Sequence, residues 1–221
     1  MNLRLFYHPF ASFCQKVLIA FYEKGIAFER VPIDLGDREQ RAELERVWGL
    51  AKFPVLRDEA RDLTIPESGV IIEYLDRLTP DAPLLVPADA DSAMRARIWE
   101  RFFDNYVAAP VTKVVIDELR PAGRRDPHGV EEAKGLLATA YALFDGEIGK
   151  SGWAAGEAFS LADCAAAPAL FYANTMVPIA GHPRLASYYE RLLGRPSFRR
   201  VIDEARPHRH LYPLPWPGDY A

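Results

Sequence analysis

The sequence predicts an α/β domain followed by an all-helical domain, and three observations support this prediction. Short apolar runs alternate with helical patterns as far as residue 78, and only helical patterns follow from residue 92 onward. Between them, residues 79–91 are rich in Pro, Asp and Ala and have no periodicity, so we expect a linker there. We therefore expect one domain over residues 1–80 and a second over residues 92–221.

The elements of the first domain follow in the order β-α-β, then a charged helix, then β-β-α. An apolar strand over residues 3–7 precedes a helix that begins at Ser12, where Gln15 completes a capping box, and ends at Gly25. Further elements are a strand over 27–33, a helix over 38–47, strands over 53–56 and 63–65, and a helix over 67–78 with Val70, Ile71, Tyr74 and Leu75 inward. A parallel crossover followed by an antiparallel hairpin is the order of a thioredoxin-like sandwich.

The second domain is predicted to be an all-α helical bundle. Helical periodicity is found over residues 92–119, 130–148, 184–193 and 197–205, and another helix begins at Ser160. Ser160 and Asp163 have capping-box spacing, so we assign both side chains to folding rather than to catalysis. Residues 207–221 are rich in proline and in ring side chains, and we expect an extended tail on the surface.

Composition excludes several classes of protein. The 221 residues include 31 acidic and 27 basic side chains, and a net charge of −4 leaves no electrostatic footprint for nucleic acid or for anionic lipid. The uncharged stretch 164–183 contains Pro168 and Pro178, so it predicts a buried helix and a turn rather than a membrane span. Two distant cysteines and no apolar leader favour a cytoplasmic protein with reduced thiols. The five histidines are scattered, and we expect no metal site.

Two short motifs carry binding chemistry. In Phe53-Pro54-Val55 a proline opens a strand, and a cis bond would turn the backbone of Val55 toward a groove where a peptide-like ligand could pair. The alternative is an ordinary edge-strand proline. Pro66-Glu67-Ser68 begins a helix, either as a simple cap or as a site where the helix N-terminus binds a carboxylate and Glu67 binds an adjacent ammonium. An α-amino-acid head group presents both charges together.

These motifs belong to a wider resemblance. This chain resembles the amino-terminal domain of the cytosolic glutathione transferases at four places: Leu5-Phe6-Tyr7, residues 53–56, Glu67-Ser68 and residues 72–75. Residues 156–163 resemble the capping-box signature of their carboxy-terminal domain, and residues 195–198 resemble their last helices. The resemblance covers residues 3–202 and is closest to the bacterial type.

The resemblance implies a homodimeric detoxification enzyme that transfers the thiol of glutathione, its co-substrate, to a small apolar electrophile. Glu67 and Ser68 would hold the γ-glutamyl group, Val55 would pair with the cysteinyl backbone, and Lys52 would meet the glycine carboxylate. The serine or cysteine position of the family falls on Ala11, which can donate no hydrogen bond. Ser12 is therefore the first candidate for stabilising the thiolate, and Tyr7 is the second.

Other readings stay open at this point. Cys14 lies three and four residues before Val17 and Leu18, which predicts a buried, inert thiol, although a thiol–disulfide reductase would use it. A glutathione-dependent isomerase of the maleylacetoacetate type and a non-catalytic glutathione- or protein-binding module are further alternatives, and Ala11 favours the module. For the second substrate we expect a cleft between the domains lined by Phe10, Phe103 and Tyr106.

Overall fold

The computed structural model describes residues 2–149 and 152–216. A four-stranded mixed sheet forms the first part of the molecule, with strands β1 (Leu3–Tyr7), β2 (Glu29–Pro32), β3 (Val55–Asp58) and β4 (Leu63–Pro66) in the order β2-β1-β3-β4. β1 runs parallel to β2 and antiparallel to β3, and β3 runs antiparallel to β4. This is the predicted thioredoxin-like arrangement.

Helices cover both faces of the sheet: α1 (Ser12–Lys24), α2 (Arg38–Val47) and α3 (Ser68–Leu78). Side chains alternate along β1, so Leu5 packs with α1 and α3 while Phe6 packs with Leu44 of α2. On α3, Ile71 and Leu75 are buried as predicted. Val70 was also predicted to face inward, but it is half exposed because it lies beside the buried stripe of that helix.

α1 ends as predicted but begins differently. Gly25 closes the helix in the left-handed region at φ +62°, which glycine adopts without steric cost. Ala11 occupies the N-cap position, and Ser12 is the first helical residue. The predicted capping box of Ser12 and Gln15 is wrong, because the Gln15 amide instead donates to the Pro9 carbonyl and to the Tyr172 hydroxyl, both at 2.9 Å.

The second part is mostly helical: α4 (Ala90–Phe102), a π-helix (Phe103–Ala108), α5 (Ala109–Glu118), α6 (Pro127–Glu147), α7 (Leu161–Ala173), α8 (Pro183–Leu193) and α9 (Pro196–Ala205). The sequence predicts one helix over residues 92–119, whereas the structure inserts the π-helix into it. The fold class is confirmed. Because a turn of π-helix contains more residues than a turn of α-helix, it changes which side chains of α5 face inward relative to those of α4.

The buried helix α7 joins the two parts of the molecule. All of its residues are buried, and it packs against α1, so a single apolar core extends from the sheet into the helical part. The predicted capping box is confirmed, since the Asp163 carboxylate accepts from the Ser160 backbone N–H at 2.8 Å and from the Tyr188 hydroxyl at 2.6 Å. Among the described helices, none has both the length and the apolar character that a membrane crossing requires.

The C-terminal segment does not lie extended on the surface as predicted. Arg206–Leu211 forms a short 3₁₀-helix, and Tyr212 and Trp216 then pack against the core. The expectation for residues 217–221 falls outside the described residues.

Candidate functional site

A polar cavity of about 230 Å³ lies at the N-terminus of α3, beside the Phe53–Pro54 peptide bond, which is cis. Three of the predicted binding residues, Lys52, Glu67 and Ser68, are brought together there. The cavity is also lined by Phe13, Trp48, Phe53, Pro54, Pro66, Gly69, Arg101 and Asp104. Lysine and arginine with two acids give the cavity both signs of charge, as a zwitterionic amino-acid head group requires.

Val55 is not part of this cavity. It is fully buried, and in β3 it lies between Phe6 of β1 and Pro66 of β4. The prediction for Val55 concerns pairing of its backbone with a ligand beside a cis bond, and it stays a prediction. Phe53 and Pro54, which precede the strand, line the cavity instead.

Glu67 has an unusual backbone conformation. It occupies the N-cap position of α3 at φ +70° and ψ 117°, and its side chain caps no backbone N–H. A non-glycine residue in such a region costs about 1–3 kcal/mol, and such residues concentrate at functional sites. The next residue, Ser68, is nearly buried at the first turn, where the helix presents N–H groups that have no partner within the helix.

α3 approaches α4 closely at Gly69. A Cβ atom built on Gly69 would lie 2.6 Å from Oε1 of Glu100, so a larger residue there would displace this buried carboxylate. The Glu100 carboxylate is itself buried and pairs with Lys16 of α1 and, at 2.8 Å, with Arg101. The close approach at Gly69 therefore places the polar cavity directly against a buried group of charges.

Lys16 is the centre of that group. Its ammonium is fully buried and reaches both Glu100 and Asp104, the latter at 2.8 Å. Burial raises the pKa of Asp104 to about 6, with Lys16 opposing the increase and the neighbouring Glu100 adding to it. Asp104 lies in the π-helix and lines the polar cavity, so it connects the buried charges with the ligand space.

An apolar cavity of about 300 Å³ adjoins the polar one. Its lining residues are Phe10, Ala11, Ser12, Phe13, Phe53, Val111, Thr112, Val115, Tyr172 and Tyr212. Phe13 and Phe53 line both cavities, so the two spaces meet at the N-terminus of α1.

Of the three residues predicted for an apolar cleft, only Phe10 lines this cavity. Phe103 is fully buried, with ring centroids 5.4 Å from Phe102 and 4.9 Å from Phe144. Tyr106 is half exposed and lies outside the lining. Side chains of α5, rather than those of residues 103–106, form this part of the wall.

The candidates for stabilising a thiolate separate clearly in space. Ser12 lines the apolar cavity at the N-terminus of α1. Tyr7 is buried and lines neither cavity, and burial raises the pKa of its hydroxyl although the Arg30 guanidinium opposes this. Cys14 is fully buried as predicted, and burial raises the pKa of its thiol well above the ordinary range even though the His8 backbone N–H donates to Sγ at 3.4 Å.

Residues 2–149 and 152–216 contain no group of three or more His, Cys, Asp or Glu side chains arranged to hold a metal ion.

Comparison with known families matches both parts of the chain. The description "Glutathione S-transferase, N-terminal domain" matches residues 5–83, and "Glutathione S-transferase, C-terminal domain" matches residues 127–191. Together these matches cover more than half of the chain. The chain belongs to the glutathione S-transferase family.

Individual glutathione S-transferases match over most of their length. Glutathione S-transferase GstB of Escherichia coli strain K12 is 26% identical over 194 residues, which cover 85% of this chain and 91% of that protein. A crystal structure from Methylobacillus flagellatus KT with glutathione bound is 29% identical, with a TM-score of 0.81 and coverage of 90% and 98%. Another from Methylobacterium radiotolerans, in complex with glutathione sulfonate, is 29% identical, with a TM-score of 0.80 and coverage of 91% and 94%.

Sequence reasoning missed several residues of this glutathione S-transferase site. The burial of Lys16 could have been predicted from the sequence. The central turns of α1 are apolar on nearly every face, and a lysine within them implies a buried partner of opposite charge. No sequence pattern indicated that Arg101 and Asp104 lie at the cavity, because their position depends on how α4 packs against α3. Tyr212 was hidden because its tail has no periodicity from which burial could be predicted.

Proposed function

We propose that the protein is a glutathione transferase that joins the glutathione thiol to a small, apolar electrophile. One observation carries the proposal: a polar cavity with both signs of charge meets an apolar cavity at the N-terminus of α1. The first cavity suits a charged tripeptide and the second suits an apolar reaction partner. The structural relative with glutathione bound supports the same ligand.

In the proposed complex, the γ-glutamyl ammonium pairs with Glu67, and its carboxylate is bound by Ser68 and the N-terminus of α3. The cysteinyl part lies along Phe53 and Pro54, and Lys52 meets the glycine carboxylate. Residues 1–80 would then form the glutathione-binding domain. The helical domain, residues 92–221, would add Arg101 and Asp104 to the polar cavity and half of the residues that line the apolar one.

The thiol is proposed to lose its proton at the N-terminus of α1. A free thiol titrates near ~8.5, and the positive end of a helix and nearby donors lower that value. Ser12 and the first N–H groups of the helix supply such donors. The released proton passes to solvent, the thiolate sulfur forms a bond to the electrophilic carbon, and the leaving group departs with its electron pair.

We further propose that the protein works in the cytoplasm as a homodimer. An apolar surface supports an interface, since Met94 and Ile98 lie four residues apart on α4 and are each more than half exposed. Sedimentation velocity at micromolar concentration tests this, and a single species of monomer mass would contradict it.

Ser12→Ala is the decisive variant. Loss of one charge-assisted hydrogen bond should raise the pKa of the bound thiol by about 1 to 2 and lower turnover at neutral pH by about tenfold or more. Glutathione affinity should hardly change. The measurements are calorimetric titration with glutathione, turnover of chlorodinitrobenzene, and the ultraviolet absorbance of the bound thiolate against pH.

Tyr7→Phe is the matched control, because it also removes one hydroxyl but does so outside both cavities. A loss of turnover in this variant with none in Ser12→Ala would contradict the assignment. Glutathione binding without turnover of any electrophile would favour the non-catalytic module. An adduct on Cys14 after incubation with oxidised glutathione, detected by mass spectrometry, would favour the reductase.

A further inference from the structure

One side chain that lines the apolar cavity comes from the segment after α9. Tyr212 lines it from the C-terminal segment, beyond the short 3₁₀-helix. Its ring centroid lies 5.4 Å from that of Phe10 and 5.3 Å from that of Tyr172. Trp216 follows on the same segment, 5.2 Å from Phe10 and 5.3 Å from Phe171. The segment is therefore held beside the cavity by a group of packed rings, and Tyr212 is its lining residue.

A hydrogen bond orients the Tyr212 ring. The Thr175 hydroxyl donates to the Tyr172 carbonyl at 2.7 Å, which uses its single proton. The Tyr212 hydroxyl lies 3.2 Å from the same Thr175 oxygen, so Tyr212 is the donor in that contact. The ring is thus held in place by one hydrogen bond and by contacts with other rings.

We propose that Tyr212 determines specificity by limiting the size of the apolar group that the cavity accepts. The inference rests on the proposed function, since it concerns the electrophile-binding part of that site. The remaining lining side chains belong to helices or to the residues just before α1 and β3, where the backbone is fixed by the core. Tyr212 is a wall that a substitution can shorten without altering a helix that carries the site.

Alkyl chains of increasing length attached to the glutathione sulfur report how large an apolar group the cavity accepts. We would titrate glutathione and its S-methyl, S-butyl, S-hexyl and S-octyl thioethers into the full-length protein by calorimetry. Each methylene that enters the cavity should raise affinity by about fourfold until the chain reaches the Tyr212 wall. In Tyr212→Ala the increase should continue to longer chains, so that the affinity ratio of S-octyl to S-butyl rises by at least about tenfold over the wild-type ratio.

Three variants control the experiment. Tyr212→Phe keeps the ring and should keep the wild-type ratio, whereas Tyr106→Ala removes a half-exposed tyrosine outside the cavity and should change nothing. If Tyr212→Ala does not fold, as judged by circular dichroism, Tyr212→Leu replaces it and should give a smaller increase of the same sign.

The outcomes separate this inference from the proposed function. Wild-type and Tyr212→Ala proteins that bind glutathione equally but show the same thioether ratio would overturn the role of Tyr212 alone. A wild-type protein that binds neither glutathione nor any thioether would overturn both the role of Tyr212 and the proposed function.

Discussion

Glu67, the proposed partner of the γ-glutamyl ammonium, has an unfavourable backbone conformation. At φ +70° the residue holds its carboxylate beside the polar cavity while its own side chain makes no cap for α3. A simple capping residue would adopt an extended conformation and use its side chain on the helix. The conformation is therefore better explained by ligand binding than by helix stability.

This explanation predicts a trade-off between stability and affinity. Glu67→Gly should relieve the backbone and raise the free energy of unfolding by about 1 kcal/mol, because glycine adopts positive φ freely. The same change should weaken glutathione binding by at least about tenfold, since it removes a charge-assisted hydrogen bond. Denaturant unfolding and calorimetric titration measure the two quantities.

Glu67→Gln is the matched control for that prediction. It keeps the Cβ atom and the backbone strain, so it should lose affinity without gaining stability. An increase in stability of the same size in both variants would show that the backbone conformation is not the cause.

Among the elements, α1 connects the sheet part of the molecule, the helical part and the two cavities. It lies against α3, α7 and α9, and the two cavities meet at its N-terminus. Its last turns are tied to the C-terminal helices through Glu23, which accepts two hydrogen bonds from Arg195 at 2.8 and 2.6 Å. The Ser197 hydroxyl also contacts this carboxylate and donates to it.

The Glu23 contact predicts a pH dependence of stability. Burial alone raises the pKa of Glu23, but the bonds from Arg195 and Ser197 outweigh it, so the folded pKa lies below the ordinary 4.5. A depressed carboxyl pKa stabilises the folded state above about pH 4.5, and this contribution is lost as the pH falls through the folded pKa. Glu23→Gln should therefore cost about 1–3 kcal/mol at pH 7 and much less below pH 4.

Denaturant unfolding at several pH values checks this prediction. Glu45→Gln is the control, because Glu45 forms an exposed pair with Arg41 at 3.1 Å on α2. That pair should contribute less than about 0.5 kcal/mol. A cost for Glu23→Gln that does not change with pH would mean that packing rather than charge accounts for the loss.

The elements also show what the sequence could and could not predict. α2 was predicted to the residue, because a charged amphipathic run follows Asp37, whose carboxylate caps the helix. The π-helix and the packing of the partly buried Tyr212 were not predicted, since both depend on contacts between segments distant in sequence. For the same reason Glu67 and Ser68 could be placed from a local motif and Lys52 from the family resemblance, whereas Arg101, Asp104 and the residues of α5 could not be placed.

At the scale of the whole molecule, the two parts share a core and a buried set of charges. Lys16 of α1 pairs with Glu100 of α4 and with Asp104 of the π-helix, so the attraction crosses from the sheet part to the helical part. Charges buried in this way cost much free energy if one partner is removed. We therefore expect the two parts to unfold together in a single transition.

Lys16→Met tests this coupling. The substitution leaves two carboxylates close together without their common partner, and it should lower the free energy of unfolding by about 3–5 kcal/mol. The loss should be smaller at pH 5 than at pH 8, because a proton on Asp104 relieves the repulsion. Scanning calorimetry measures both the loss and the number of transitions.

Arg97→Met serves as the comparison, since it breaks an exposed pair between α4 and Glu73 of α3, with bonds of 2.9 and 3.1 Å. Its cost should stay below about 1 kcal/mol. Equal losses of unfolding free energy in Lys16→Met and Arg97→Met would contradict the role of Lys16 in coupling the two parts of the molecule.

The π-helix sets the rotation of α5 relative to α4 and therefore which α5 side chains line the apolar cavity. An α-helix advances by 3.6 residues per turn, so deleting one residue between Phe103 and Ala108 would rotate everything that follows by roughly 100° about the helix axis. Val111, Thr112 and Val115 would then leave the apolar cavity together. If the proposed function holds, a single codon gained or lost at this turn would exchange one substrate range for another.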